Sequence, residues 1–100
     1  MSAAGWGALA SLVAARDPYC RGAVILGLNQ PLTALAASFA QAVNPVVKGF
    51  MVGRSLWADP SMRWLANQID DDALVREVAD NFALLVDAWR VRHGTKDRAA

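Results

Sequence analysis

Two short apolar runs, separated by a helix-like segment, constrain the fold of this 100-residue chain more than any other feature. Residues 23–28 and 46–53 are mostly apolar and show no alternation of apolar and polar side chains. Short runs of this kind are typical of strands buried on both faces, as in a parallel sheet. A helix usually joins two parallel strands, so the runs predict one right-handed βαβ unit.

Apolar spacing and helix-capping residues predict four helices around these strands. Residues 3–16 form the first, and an Asp-Pro pair at 17–18 ends it, because a residue before proline disfavours helical backbone. The second begins at an Asn-Gln-Pro segment, 29–31, with one of the amides near the cap and the proline in the first turn. It runs to about residue 42.

Two more helices are expected after the second strand. One runs from residue 55 or 59 to residue 67, with Pro60 at an early position. The last begins at three aspartates, 70–72, which suit a cap and the positive end of a helix, and it ends at Gly94. Its apolar stripe is the clearest in the chain: Leu74, Val78, Phe82, Leu85 and Trp89. Two parallel strands are too few for an independent sheet, so residues 1–100 are interpreted as a single partial α/β domain.

The composition argues against several classes of function. Hydrophobic residues make up 55% of the chain and the formal net charge is +1, so no basic stripe favours nucleic acid. No apolar run is long enough to span a membrane and no signal peptide is recognised, so a cytoplasmic location is expected. Cys20 and His93 are the only residues of their types, and neither predicts a disulfide, a metal site or a cofactor. The tryptophans stand among leucines at helical spacing and are expected in the core: Trp6, Trp57, Trp64 and Trp89.

The end of the second run predicts an anion site. Gly53 lets backbone approach a ligand, Arg54 supplies a fork of donors, and Ser55 can start a helix whose amides point at the ligand. The expected ligand is a phosphate or a carboxylate. The alternative is a strand-to-helix turn with a solvated arginine.

Several segments resemble one known family over nearly the whole chain. They are Arg-Asp-Pro-Tyr-Cys-Arg-Gly at 16–22, Leu-Gly-Leu-Asn at 26–29, Val-Lys-Gly-Phe-Met-Val-Gly-Arg-Ser-Leu-Trp at 47–57, Trp-Leu-Ala at 64–66 and Ile-Asp-Asp-Asp at 69–72. They resemble the C-terminal part of the 2-deoxy-5-keto-gluconate 6-phosphate aldolase-type domain, which is often fused to a ribokinase-type sugar kinase in inositol catabolism. The Gly-Arg pair followed by Trp57 is also similar to the last strand of tagatose-bisphosphate aldolases.

The resemblance implies the last part of a TIM (β/α)8 barrel, with the two runs as strands seven and eight. Phosphate sites of such barrels commonly lie in the loops after these strands. Arg54 is then expected to clamp the phosphate, the backbones of Gly27, Leu28, Gly53 and Ser55 to add N–H groups, and Asn29 to orient a substrate hydroxyl. A complete relative is expected to form dihydroxyacetone phosphate and malonate semialdehyde.

The chain departs from that family in lacking the earlier strand that carries the Schiff-base lysine. Its only lysines are Lys48, expected at the far side of the barrel from the active face, and Lys96, in the tail. No catalytic residue is therefore assigned, and the chain is expected to be inactive alone. The expected partners are a phosphorylated sugar or inorganic phosphate, and either a second copy or the missing barrel portion. The alternative is a non-enzymatic helical interaction module that self-associates.

Overall fold

The computed structural model describes residues 1–92, and it shows a mixed α/β fold with four helices and a two-stranded parallel sheet. The elements are α1 (Ala3–Arg16), β1 (Ala23–Leu26), α2 (Leu32–Ser38), a 3-10 turn (Phe39–Gln41), β2 (Val47–Met51), α3 (Arg54–Leu65) and α4 (Asp71–Val91). The predicted order of helices and strands is confirmed. The expectations for His93, Gly94 and Lys96 lie outside the described residues.

Side-chain caps start the first and last helices; the cap of the last helix is predicted from its aspartates, and Ser2 is a cap that the sequence reading did not identify. Oγ of Ser2 accepts a hydrogen bond from the amide of Gly5 at 3.1 Å, which opens α1. Oδ1 of Asp70 accepts one from the amide of Ala73 at 2.8 Å, which opens α4. Such caps satisfy amides that have no partner within the helix, and each is worth about 1 kcal/mol.

The sheet is covered on one face only, so the expected burial of both faces is wrong. Ile25 pairs laterally with Phe50, and both pack against the helices. Val24 on β1, and the paired residues Leu26 and Met51, are 42%, 49% and 62% exposed. Side chains alternate between the faces of a strand, so the helical layer covers one set and leaves the other open.

The strands are also shorter than predicted. β1 ends at Leu26, because Leu28 and Asn29 take left-handed backbone angles that leave the extended conformation. Pro31 is the cap residue of α2 and lies outside its first turn, and it provides no side-chain cap. Asn29 and Gln30 belong to the turn that begins at Gly27 and do not cap the helix as predicted.

Aromatic side chains join the sheet to the helices. The ring centroids of Phe39 and Phe50 lie 5.0 Å apart, and Trp89 of α4 lies 5.7 Å from each of them. Phe39, Leu35 and Leu85 are completely buried. Each such side chain contributes about 1.5–3 kcal/mol on leaving water, so this cluster dominates the core.

Two of the four tryptophans are not core residues. Trp6 is buried and Trp89 packs against the aromatic cluster, as predicted. Trp57 and Trp64 are 45% and 39% exposed, and neither belongs to the core cluster in which Leu56 packs α3 against α4. None of the helices within residues 1–92 has the length and hydropathy needed to cross a bilayer.

Pro60 lies in the interior of α3, so the predicted start at residue 55 is confirmed to within one residue and the alternative start at residue 59 is wrong. The helix begins six residues earlier, at Arg54, so the missing N–H of Pro60 leaves the carbonyl of Leu56 without its helical partner. Nδ2 of Asn81, on α4, donates to this carbonyl at 2.8 Å. This long-range hydrogen bond gives the carbonyl of Leu56 the donor that the proline cannot supply, and it fixes α3 against α4.

A second polar link joins the same two helices. Nη2 of Arg63 donates to Oε1 of Glu77 at 2.9 Å, and Oε2 of that carboxylate lies 2.9 Å from the same nitrogen. Asp59, one turn earlier on α3, lies 2.8 Å from this guanidinium. The hydrogen bond to Glu77, followed by that to Asp59, raises the pKa of Arg63 above its ordinary value. All three side chains are partly exposed, so the network adds little stability.

The Asn81–Leu56 hydrogen bond can be tested by a double-mutant cycle. Asn81→Ala should lower the free energy of unfolding by about 1–3 kcal/mol, because it leaves a partly buried carbonyl without a donor. In a Pro60→Ala background the new N–H can bond to Leu56, so the same substitution should cost less. Urea denaturation followed by circular dichroism measures both, with the exposed neighbour Asp80→Ala as control. An equal cost in the two backgrounds would contradict this account.

Candidate functional site

Two loops meet at one edge of the sheet because β1 and β2 are parallel. Leu26 pairs with Met51 at the carboxyl ends of the strands, and the amide of Gly27 donates to the carbonyl of Met51 at 3.0 Å. The first loop continues from Gly27 and the second runs to Gly53, where α3 begins. All six residues of the predicted phosphate site lie in these loops or in the first turn of α3: Gly27, Leu28, Asn29, Gly53, Arg54 and Ser55.

Gly27 and Ser55 bring the two loops into contact. A Cβ on Gly27 would lie 3.2 Å from Oγ of Ser55 and 3.1 Å from Cγ1 of Val52. Oγ of Ser55 is buried and has no hydrogen-bond partner among residues 1–92. Buried hydroxyls are nearly always hydrogen-bonded, so a ligand or water at this position would satisfy an otherwise unpaired group.

The first loop is a tight turn with an unusual backbone. Leu28 and Asn29 have φ angles of 52° and 62°, and the amide of Gln30 donates to the carbonyl of Gly27 at 3.0 Å. Left-handed backbone is tolerated by asparagine but costs a leucine about 1–2 kcal/mol. The turn presents both residues to solvent, with Leu28 71% exposed, and leaves the amide of Asn29 free of partners within the described chain.

The amino terminus of α3 carries uncompensated positive character. Its cap residue is Gly53, no side chain caps it, and no acidic residue stands in its first turn. In contrast, α4 has Asp70 as its cap and two further aspartates in its first turn. Acidic groups normally lie near a helix amino terminus because the amides there have no partners and the helix dipole is positive. The open end of α3 therefore suits an external anion.

Arg54 adds a full charge at the same position. Its side chain is exposed and forms no hydrogen bond or ion pair within residues 1–92. A free guanidinium beside open helix amides can bind a phosphate or carboxylate with two parallel hydrogen bonds. The site thus combines a charged fork, helix amides and a buried hydroxyl, and the first two suit binding of an anion.

Trp57 also borders the site, although its spacing predicted a core residue. Its indole Nε1 lies 3.5 Å from the position that a Cβ on Gly53 would occupy. Its place one turn after the cap could have shown this, because helix side chains lean towards the amino terminus.

Lys48 lies at the opposite end of the sheet, as the sequence predicts. Val47 pairs with Ala23 and Gly49 with Val24, so Lys48 is an extra residue in a β-bulge at the amino end of β2. Its aliphatic stem packs over Gly22, the residue before β1. The side chain therefore lies away from the two carboxyl-end loops.

Two surface depressions lie away from the strand-end loops. The larger, at the α3–α4 turn, includes Trp64, whose Nε1 donates to Oδ1 of Asp71 at 2.8 Å. The other lies near the amino ends of the strands and includes Cys20 and Lys48. Within residues 1–92, no group of three or more histidine, cysteine, aspartate or glutamate side chains is arranged to hold a metal ion. We place the candidate site at the strand-end loops because the uncapped start of α3, the unpaired Arg54 and the unpaired hydroxyl of Ser55 are adjacent there.

The contact between the two loops predicts that a larger side chain is tolerated less well at Gly27 than at Gly49. Gly27→Val should destabilise the protein by about 1–3 kcal/mol, because its side chain would crowd Val52 and Ser55. Gly49→Val is the matched control, since a Cβ there meets no atom within 4 Å and valine favours strands. Thermal denaturation compares the two, and equal stability would show that the loops are not in contact.

Comparison with known proteins places the chain in a family. Residues 1–93 match the model of a family described as an uncharacterized protein conserved in bacteria (DUF2090). No curated protein and no solved structure matches the chain. Because the match covers nearly all of its 100 residues, the chain belongs to the DUF2090 family.

Proposed function

We propose that this chain is the C-terminal part of a sugar-phosphate aldolase-type barrel and carries its phosphate-binding half-site. The proposal combines the resemblance to 2-deoxy-5-keto-gluconate 6-phosphate aldolase with the donors at the two strand-end loops. In a complete barrel of this type, the substrate would be a phosphorylated keto-sugar acid of inositol catabolism. The class of reaction would be aldol cleavage through a Schiff base.

The uncovered face of the sheet supports the barrel interpretation. A (β/α)8 barrel has helices outside its strands and packs side chains from the strands within the barrel. Here the helices cover the face with Ile25 and Phe50, while Val24, Leu26 and Met51 are exposed on the other. Parallel sheets are normally covered on both faces, so apolar residues on an open face fit the interior of a larger barrel.

The amino terminus of α3 is the observation that carries the phosphate proposal. It joins an uncapped helix end, the unpaired charge of Arg54 and the buried, unpaired hydroxyl of Ser55 at the carboxyl edge of two parallel strands. In barrel enzymes this edge is where ligands bind. A phosphate beside this helix end would satisfy the open amides and the charge of Arg54 together.

The chain alone should not cleave the substrate. Schiff-base catalysis needs a lysine whose amine loses its proton readily, placed beside the substrate carbonyl. Lys48 packs over Gly22 at the amino end of the sheet, and Lys96 lies outside the described residues. We propose that the Schiff-base lysine and the residues that recognise the sugar belong to other strands of the barrel, outside this sequence.

A helical interaction module is the second candidate, and exposed apolar side chains favour it. Trp57 and Leu65 on α3 and Phe82 on α4 are each at least 45% exposed. Large apolar patches commonly mark protein interfaces. Self-association would follow from both candidates, but a module has no reason to bind a sugar phosphate through Arg54.

The proposed site predicts stabilisation by phosphate that depends on Arg54. Inorganic phosphate or dihydroxyacetone phosphate should raise the melting temperature, because a ligand at ten times its Kd adds roughly 1.4 kcal/mol of stability. Arg54→Gln should abolish the rise by removing the charged fork. Thermal unfolding by circular dichroism, with sedimentation to record the oligomeric state, measures both effects.

Arg76→Gln provides the matched control. Arg76 is an exposed arginine of α4 without a hydrogen bond or ion pair in the described chain. This variant should keep the full phosphate response. Equal loss in both variants would indicate non-specific attraction by surface charge and would rule out the half-site.

A further inference from the structure

Trp57 lies over the amino terminus of α3, next to the proposed phosphate site. It is the fourth residue of the helix and follows the Gly53 cap by one turn. Side chains of a helix tilt towards its amino terminus, so this indole leans back over the cap. Its Nε1, Cζ2 and Cε2 atoms lie 3.5, 3.7 and 3.8 Å from the position of a Cβ on Gly53. The edge that bears the N–H therefore faces the cap.

The indole N–H of Trp57 also lacks a partner. It forms no hydrogen bond within residues 1–92, and the side chain is 45% exposed. The other exposed tryptophan differs, since Nε1 of Trp64 donates to Asp71 at 2.8 Å. Trp89 packs among the aromatic rings of the core. Trp57 is thus an amphipathic side chain at the mouth of the site, with its donor unused.

We propose that the indole N–H of Trp57 donates a hydrogen bond to an oxygen of the phosphate held by Arg54 and the α3 amides. The inference rests on the proposed phosphate site and adds a donor to it. An indole can only donate, so it suits an unprotonated phosphate oxygen. Because the indole is planar and rigid, its N–H would orient the phosphate that the charge of Arg54 attracts. The ligand class is a small phosphate monoester whose phosphate lies beside the helix cap, next to the indole edge that carries the N–H.

Trp57→Phe tests the role of the donor, because phenylalanine keeps an aromatic ring but has no N–H. The Kd of inorganic phosphate and of dihydroxyacetone phosphate should rise about tenfold, as expected for one hydrogen bond to a charged group. Trp64→Phe is the matched control and should bind as the unaltered chain does. In the unaltered chain, the indole N–H resonance of Trp57 should shift during the titration and that of Trp64 should stay in place.

The outcomes separate this inference from the proposed function. If Trp57→Phe binds phosphate as tightly as the unaltered chain, the Trp57 resonance does not move and Arg54→Gln has lost binding, the site stands and the indole role is wrong. If the unaltered chain binds neither phosphate nor dihydroxyacetone phosphate, both proposals are wrong. A weakened Trp57→Phe variant together with a shifted Trp57 resonance supports the inference.

Discussion

Parallel pairing of β1 with β2 is the constraint on which the rest of the structure depends. A parallel pair needs a crossover, and α2 with its 3-10 turn supplies it on one face of the sheet. The same pairing brings the carboxyl ends of both strands to one edge. It therefore produces the open apolar face and the meeting of the two loops. An antiparallel pair would have placed Gly27 and Ser55 at opposite ends of the sheet.

Packing on the covered face holds this arrangement in place. Phe50 of β2 contacts Phe39 from the crossover and Trp89 from the last helix, so one strand residue joins three parts of the chain. The Asn81–Leu56 hydrogen bond then fixes α3 to α4 at the proline. Because α3 is held in this way, its amino terminus is directed at the sheet edge, where an anion can reach its free amides.

Elements specified by nearby residues were predictable from the sequence. The limits of α1 and the start of α4 follow from Ser2, Asp17 and Asp70, which act within one turn of the helix ends. The two strands follow from their apolar runs. The positions of the six predicted site residues at one edge also follow, because parallel strands leave no other place for them.

Features that depend on distant partners were not predictable in this way. Pro60 left two helix starts open, at residue 55 and at residue 59, and only Asn81, 21 residues later, explains how a proline is tolerated inside α3. The apolar runs indicated burial on both faces of the sheet. Whether Val24 and Leu26 are buried depends on what covers their face, and their own sequence does not show that. Trp57 matched a core stripe, although the face of α3 that packs on α4 is the one with Leu56.

The most direct test of the account is a map of backbone amide resonances during titration with inorganic phosphate. The account predicts that amides in the first loop, Gly27 to Asn29, and at the start of α3, Arg54 and Ser55, shift together with one Kd. The amides at the start of α4, where Asp70 already caps the helix, should not respond. Shifts confined to one loop, or equal shifts at both helix starts, would contradict a single phosphate site built from the two strand ends.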